Sequence, residues 1–254
     1  MQFALVGDPV AHSLSPAIHR AALRACGIGG SYVARRTHAA DLARLCDELR
    51  AGELHGVNVT MPLKRQVLPF VDDLSSMARR VGAVNTLSVS DGAVCGDNTD
   101  VGGISDAWAR RNLPIDAPVL ILGTGGAAAA ALLALEGRSL YLSGRSEARA
   151  AGLAHAVDVV TSIVEWTVAV DGAVIVNATP LGMRGEDLPP GLLADASGLF
   201  DMAYGSEPTP AVAGFGSRPC ADGIDMLVAQ AARSFEIWTQ ETAPITVMEA
   251  AARA

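Results

Sequence analysis

Three short polar clusters in the first hundred residues carry groups able to bind a small oxygen-rich molecule and move a proton on it. In Gly7-Asp8-Pro9-Val10-Ala11-His12-Ser13-Leu14-Ser15-Pro16, two hydroxyls flank the start of a predicted helix, where they and the helix N–H groups would hold a carboxylate. Ser15 alone is equally well read as a helix cap, a role that leaves Ser13 unexplained. In Asn58-Val59-Thr60-Met61-Pro62-Leu63-Lys64, a strand runs into an expected proline-started helix and sets Asn58, Thr60 and Lys64 near one rim. Lys64 is the one obvious cation there, and an ammonium beside bound hydroxyls can pass a proton. The third cluster is Ala83-Val84-Asn85-Thr86 followed by Gly96-Asp97-Asn98-Thr99-Asp100. Thr99 or Asp100 also suits an N-cap, but the Asp100 carboxylate would equally orient a substrate hydroxyl and stabilise Lys64. A calcium loop is excluded, because the closing bidentate acid would fall at Trp108 or beyond with none in register.

A fourth motif has the chemistry of a dinucleotide site. Pro118-Val-Leu-Ile-Leu-Gly123-Thr124-Gly125-Gly126-Ala127-Ala128 is an apolar strand that runs into glycines and then into an alanine-rich helix. Gly123 and Gly125 permit a tight turn with close approach of backbone to pyrophosphate, and the helix start offers unpaired N–H groups. About 20 residues on, an NAD site would show an acid for the ribose hydroxyl. This chain shows Ser143-Gly144-Arg145-Ser146 instead, and a guanidinium beside a hydroxyl suits a 2′-phosphate, so the expected cofactor is NADP.

The elements that position these groups follow from apolar patterning. Half of the 254 residues are apolar and 18% are charged, which fits a globular chain of one large or two small domains. The formal charge of -8 has the wrong sign for a nucleic-acid footprint. Cys26, Cys46, Cys95 and Cys220 show neither paired spacing nor neighbouring histidines at zinc-ligand intervals, so no metal is expected. No signal-peptide pattern and no apolar run of 18 residues is present, which makes the cytoplasm the expected compartment, with no membrane partner. Short apolar runs alternate with helical stretches, the pattern of an α/β fold. Strands are expected at 3–6, 32–35 and 56–59, with helices at 16–26, 40–50 and 101–111. Asp91-Gly92 predicts a hairpin turn at the edge of the first sheet. After a proline-interrupted connector at 112–118, a doubly wound series is expected, with strands at 119–122, 140–143, 157–160, 174–176 and 199–201. Two helical patterns, 224–239 and 245–253, close the chain.

Taken together, the motifs resemble the shikimate dehydrogenase family along nearly the full length. The resemblance rests on Ser13-Leu-Ser15-Pro16, Asn58-Val-Thr60-Met-Pro62-Leu-Lys64, Asn85-Thr86, Gly96-Asp-Asn-Thr-Asp100, Gly123-Thr-Gly-Gly-Ala127, Asn177-Ala-Thr-Pro-Leu-Gly182-Met183 and Asp222-Gly-Ile-Asp-Met-Leu-Val-Ala-Gln230. It implies NADPH-dependent reduction of 3-dehydroshikimate to shikimate, and two lobes facing each other across a cleft. The substrate-binding α/β lobe would comprise residues 1–101 with 224–254, and the Rossmann-type NADP-binding lobe residues 102–223. By the same resemblance Lys64 and Asp100 are the catalytic pair. Ser13 and Ser15 would hold the substrate carboxylate, with Asn58, Thr60, Asn85, Tyr204 and Gln230 contacting the rest of the substrate. Gly123, Thr124, Gly125, Gly126, Ala127, Ser143, Arg145, Ser146, Thr179, Met183 and Gly223 would contact the cofactor. Members that use NADP usually show Asn-Arg-Thr where this chain has Gly144-Arg145-Ser146. The expected partner is the small-molecule substrate, with the chain a monomer or homodimer. Rival readings are a family paralogue acting on quinate or an aminated shikimate, and a non-catalytic NADP-sensing protein.

Overall fold

The apolar runs and the alanine- and leucine-rich stretches between them form two six-stranded sheets with helices in the computed structural model. The structure describes residues 1–205 and 207–254. It divides into two units, Met1–Gly103 with Leu227–Ala254, and Ile104–Met226.

The first unit runs β1 (Gln2–Gly7), α1 (Ser15–Ala25), β2 (Ser31–Arg36), α2 (Leu42–Arg50), β3 (Gly56–Val59), β4 (Asp73–Leu74), α3 (Ser76–Val81), β5 (Thr86–Ser90), β6 (Ala93–Asp97) and the start of α4 (Thr99–Arg110). Its strand order is β2-β1-β3-β5-β6-β4. β1 is parallel to both neighbours, whereas β5 runs antiparallel to β3 and β6. The expected hairpin joins β5 to β6, with φ of 51° at Asp91 and 79° at Gly92, the paired positive values of a type I′ turn. On α2, Leu42, Leu45, Cys46 and Leu49 recur at helical spacing and are fully buried against Val57, Val59, Leu87 and Val94. Each such leucine contributes about 2 kcal/mol of apolar burial. The proline-started helix expected after Thr60 is absent. Residues 61–67 form consecutive turns instead, closed by Leu63 N–H to Thr60 O and Val67 N–H to Leu63 O. The two-residue β4 and the six-residue α3 are too short to leave a periodic signal.

The second unit contains β7 (Val119–Leu122), α5 (Gly126–Ala134), β8 (Leu140–Ser143), α6 (Glu147–Val157), β9 (Ser162–Val164), β10 (Val174–Asn177), β11 (Gly198–Asp201), α7 (Pro210–Gly214) and β12 (Cys220–Ala221). All its pairings are parallel, in the order β12-β11-β10-β7-β8-β9. Chain order reverses between β7 and β10, the switch point at which doubly wound sheets bind ligands. β7, β10 and β11 are buried along their whole length, as expected of strands covered on both faces. The strand expected at 157–160 is a correction. Val157 ends α6, Asp158 caps it at a φ of 53°, and Val160 is 95% exposed, while the edge strand lies five residues later.

The last helices are α8 (Gly223–Thr239) and α9 (Ile245–Ala252). In the first unit, α9 packs on α1, and the Trp238 indole on α8 stacks on Phe3 and donates to Leu87 O at 2.9 Å. Among the described residues, no helix is long and apolar enough to cross a membrane.

Candidate active site

Lys64 Nζ donates to Asp100 Oδ2 at 2.7 Å. The two side chains are 29% and 14% exposed, partly withdrawn from water yet open to a ligand. Lys64 sits in the turns after β3, and its carbonyl accepts Val84 N–H at 2.8 Å, which ties it to the segment before Asn85. Asp100 lies in the first turn of α4, where the helix dipole favours a carboxylate. The N-cap expectation for Thr99 or Asp100 is corrected, because the Asn98 side-chain oxygen accepts Asp100 N–H at 3.2 Å. Asn85 donates from Nδ2 to Asp100 Oδ1 at 2.8 Å, so each carboxylate oxygen has its own partner.

Buried polar side chains stand behind this pair. Asn58, in β3, accepts from the Tyr32 hydroxyl at 2.7 Å and donates to Ser234 Oγ at 2.9 Å. His19 stacks flat on Tyr32 at 4.3 Å, and its Nε2 is buried without a partner. Burial drops its pKa to about 3, while the neighbouring Asn58 side chain acts in the opposite direction. Burial also pushes the Tyr32 phenol well above its usual value. Ser15 is 4% exposed and stands inside α1 rather than capping it, because Leu14 occupies the cap position. Ser13 Oγ accepts Ser15 N–H and donates to Ser15 Oγ, both at 3.2 Å, so the two hydroxyls face each other. Thr60 extends β3, its N–H donating to Val6 O. The Gln230 amide folds along its own helix and donates to Leu227 O at 2.8 Å.

The second unit places residues 123–127 after β7 and Thr179 after β10, the two strand ends of the switch point. Gly123 follows β7 with a φ of +121°, and a Cβ there would lie 2.8 Å from Ala178 O and 3.2 Å from Thr179 Cγ2. Only glycine allows the two strand ends to approach this closely. A Cβ on Gly125 or Gly126 would meet nothing within 4 Å, so the loop presents bare backbone and the α5 N-terminus to open space. Ala127 is exposed as well. Arg145 is exposed at the end of β8, and Ser146 caps α6 by accepting Arg149 N–H. Gly144 has a packing reason, since a Cβ would lie 2.6 Å from the methyl of Thr124. Open backbone at a helix start beside an exposed guanidinium fits a dinucleotide carrying a 2′-phosphate. Ser143 departs from expectation: fully buried, it donates to Glu165 O at 3.1 Å and so braces the sheet rather than facing the loop.

Thr179 is held by Asn177 Oδ1, which accepts its hydroxyl at 2.6 Å. Asn177 donates in turn to the buried Asp201 at 2.8 Å. Burial raises the Asp201 carboxyl, while hydrogen bonds from Thr209, Ala203 and Asn177 oppose that shift. Tyr204 is half-buried with its phenol raised by burial, Met183 is 52% exposed, and Gly223 begins α8. The residue that escaped sequence reasoning is Ser234, whose buried hydroxyl lies with those of Thr86 and Thr99 between Asn58 and Asn85. Its one advance signal is that it follows Gln230 by one helical turn.

A parallel doubly wound unit with a glycine loop at its switch point, in one chain with a mixed α/β unit that holds a lysine–aspartate pair, defines a dinucleotide-dependent oxidoreductase by its build. Family profiles described as the shikimate dehydrogenase substrate binding domain and the shikimate 5′-dehydrogenase C-terminal domain match residues 5–87 and 223–253. The chain is 36% identical to the shikimate dehydrogenase (NADP(+)) of Desulforamulus reducens, covering 96% of this chain and 91% of that one. It belongs to the shikimate dehydrogenase family. Its identity to a shikimate dehydrogenase (NADP(+)) of Thermus thermophilus is also 36%, covering 100% and 98% of the two chains. The crystal structure of a shikimate 5-dehydrogenase from another strain of Thermus thermophilus, in complex with NADP(H) and shikimate, matches with a TM-score of 0.90 at 35% identity, covering 100% and 98%.

Proposed function

We propose that this chain catalyses the reversible reduction of 3-dehydroshikimate to shikimate with NADPH, a step toward chorismate and the aromatic amino acids. The observation that carries the proposal is the 2.7 Å contact of Lys64 Nζ with Asp100 Oδ2, in a chain that matches NADP-dependent shikimate dehydrogenases along nearly all its length.

NADPH, when bound, supplies the hydride. The chain's own residues supply the proton and the geometry. The Lys64 ammonium gives a proton to the ketone oxygen as the alcohol forms, and recovers one from solvent; the alcohol returns that proton to Lys64 in the reverse direction. Asp100, fixed by Asn85 on its other oxygen, aims the ammonium and takes the substrate hydroxyl as a hydrogen-bond donor. Ser13 and Ser15 bind the carboxylate, away from the reacting carbon. Asn58, Thr60, Asn85, Tyr204 and Gln230 orient the ring. Gly123, Thr124, Gly125, Gly126 and Ala127 face the pyrophosphate, Arg145 and Ser146 the 2′-phosphate, and Thr179, Met183 and Gly223 the ribose and nicotinamide. On this reading residues 1–101 with 224–254 bind substrate and residues 102–223 bind NADP. The protein works in the cytoplasm on a small molecule, as a monomer or homodimer, without a nucleic-acid or membrane partner.

The test is absorbance at the reduced-nicotinamide band, with shikimate, quinate and an aminated shikimate each offered with NADP and with NAD. Shikimate with NADP should give the highest kcat/KM. A higher value with quinate or the aminated acid would reassign the substrate, and no turnover with any of them would remove the enzymatic reading.

A further inference from the structure

Ser234 is fully buried in α8, where a serine is unfavourable unless its hydroxyl is put to use. That hydroxyl donates to Gln230 O at 3.1 Å and accepts from Asn58 Nδ2 at 2.9 Å. It also lies 2.8 Å from the Thr86 hydroxyl and 3.2 Å from that of Thr99. With one proton for several acceptors, the three hydroxyls must share their protons as a set. The far side of the set meets Asn85, whose Oδ1 accepts from the Thr86 hydroxyl at 2.9 Å and from Thr99 N–H at 2.8 Å.

The direction of the Asn85 amide follows from these contacts. With its oxygen held by Thr86 and Thr99, its NH2 group points at Asp100 Oδ1, which leaves Oδ2 for Lys64. A reversed amide would set a carbonyl oxygen against a carboxylate. We infer that Ser234 is a positioning residue for the Lys64–Asp100 pair. It acts from a distant part of the chain, through Thr86 and Thr99, on the orientation of Asn85; the inference rests on the activity proposed above. The same hydroxyl ties Asn58 to the helical turn that carries Gln230, so α8 sets two walls of the site through one atom.

The test is a double-mutant cycle read by steady-state kinetics on the full chain. Ser234→Ala leaves buried polar partners unsatisfied, and Thr86→Val removes the adjoining hydroxyl at nearly constant volume. Each should lower kcat for shikimate oxidation about tenfold, leave KM for NADP unchanged, and combine in the double variant to little more than the larger single loss. Thr86→Ser, which keeps the hydroxyl, should restore most of the rate lost in Thr86→Val. The inference is overturned if the single variants melt earlier while kcat stays within about twofold, or if their losses multiply to about a hundredfold in the double variant. Wild-type protein that fails to reduce NADP with shikimate would overturn the activity itself and this inference with it, a result distinguishable before any variant is made.

Discussion

Replacing His19 with phenylalanine should flatten the acid sensitivity of the first unit. His19 is 1% exposed, parallel to Tyr32, and holds an unpartnered Nε2. Its pKa falls from 6.5 to about 3, first because burial penalises the charged ring. In the unfolded chain the imidazole takes a proton near its ordinary value, whereas in the folded chain it stays neutral until about 3. Between those values the unfolded state binds the extra proton, so the stability due to this group is present above 6.5 and drains away as pH falls. Two proton-binding curves with these midpoints put the loss between pH 7 and pH 5 at about 2 kcal/mol. His19→Phe keeps a flat ring on Tyr32 and removes the buried orphan nitrogen, a change that is near neutral or stabilising at pH 7. The assay is urea unfolding of both proteins from pH 8 to pH 5, followed by tryptophan fluorescence, with the Trp238 ring 5.3 Å from His19. Acid effects from other groups occur in both proteins and cancel in the difference. Equal loss of stability with falling pH in both proteins would show that His19 is not the group responsible.

Three further outcomes follow from the geometry. Arg145→Ala should raise KM for NADP by about tenfold or more and leave NAD nearly unaffected if, as proposed, the guanidinium pairs with the 2′-phosphate; equal losses for both cofactors would contradict that role. The Ser13→Ala, Ser15→Ala double variant should raise KM for shikimate with kcat largely kept, since the carboxylate lies away from the reacting carbon; a fall in kcat at unchanged KM would argue otherwise. Gly123→Ala places a side chain at a φ of +121° and 2.8 Å from Ala178 O, so it should cost about 1–3 kcal/mol of stability and weaken NADP binding, measurable by melting and by titration.

How much of this is legible in the sequence depends on the range of the forces involved. The buried strands stand out as the apolar runs at 119–122 and 174–176 because both faces are covered, and Asp91-Gly92 marks its hairpin because few dipeptides adopt two positive φ values. The edge strand Ser162–Val164 is hidden for the opposite reason. It is half-exposed, and the more apolar 157–160 segment draws the expectation although α6 runs into it. In the site, Lys64, Asn85 and Asp100 are visible as polar residues beside strand ends and helix starts. Ser234 is not, because it meets Thr86 across 148 positions of chain, and a serine in an apolar helix carries no local sign of that meeting. Ser143 misleads in the same way, since its inward turn is decided by Glu165 O on the neighbouring segment.

The central claim is that the Lys64 amine, aimed by Asp100, moves the proton on the substrate alcohol. The most direct test is the rate of NADP reduction by shikimate in wild type and in purified, folded Lys64→Ala. The variant should lose about two decades or more in kcat with KM for shikimate little changed. A variant that turns over at the wild-type rate would contradict the claim.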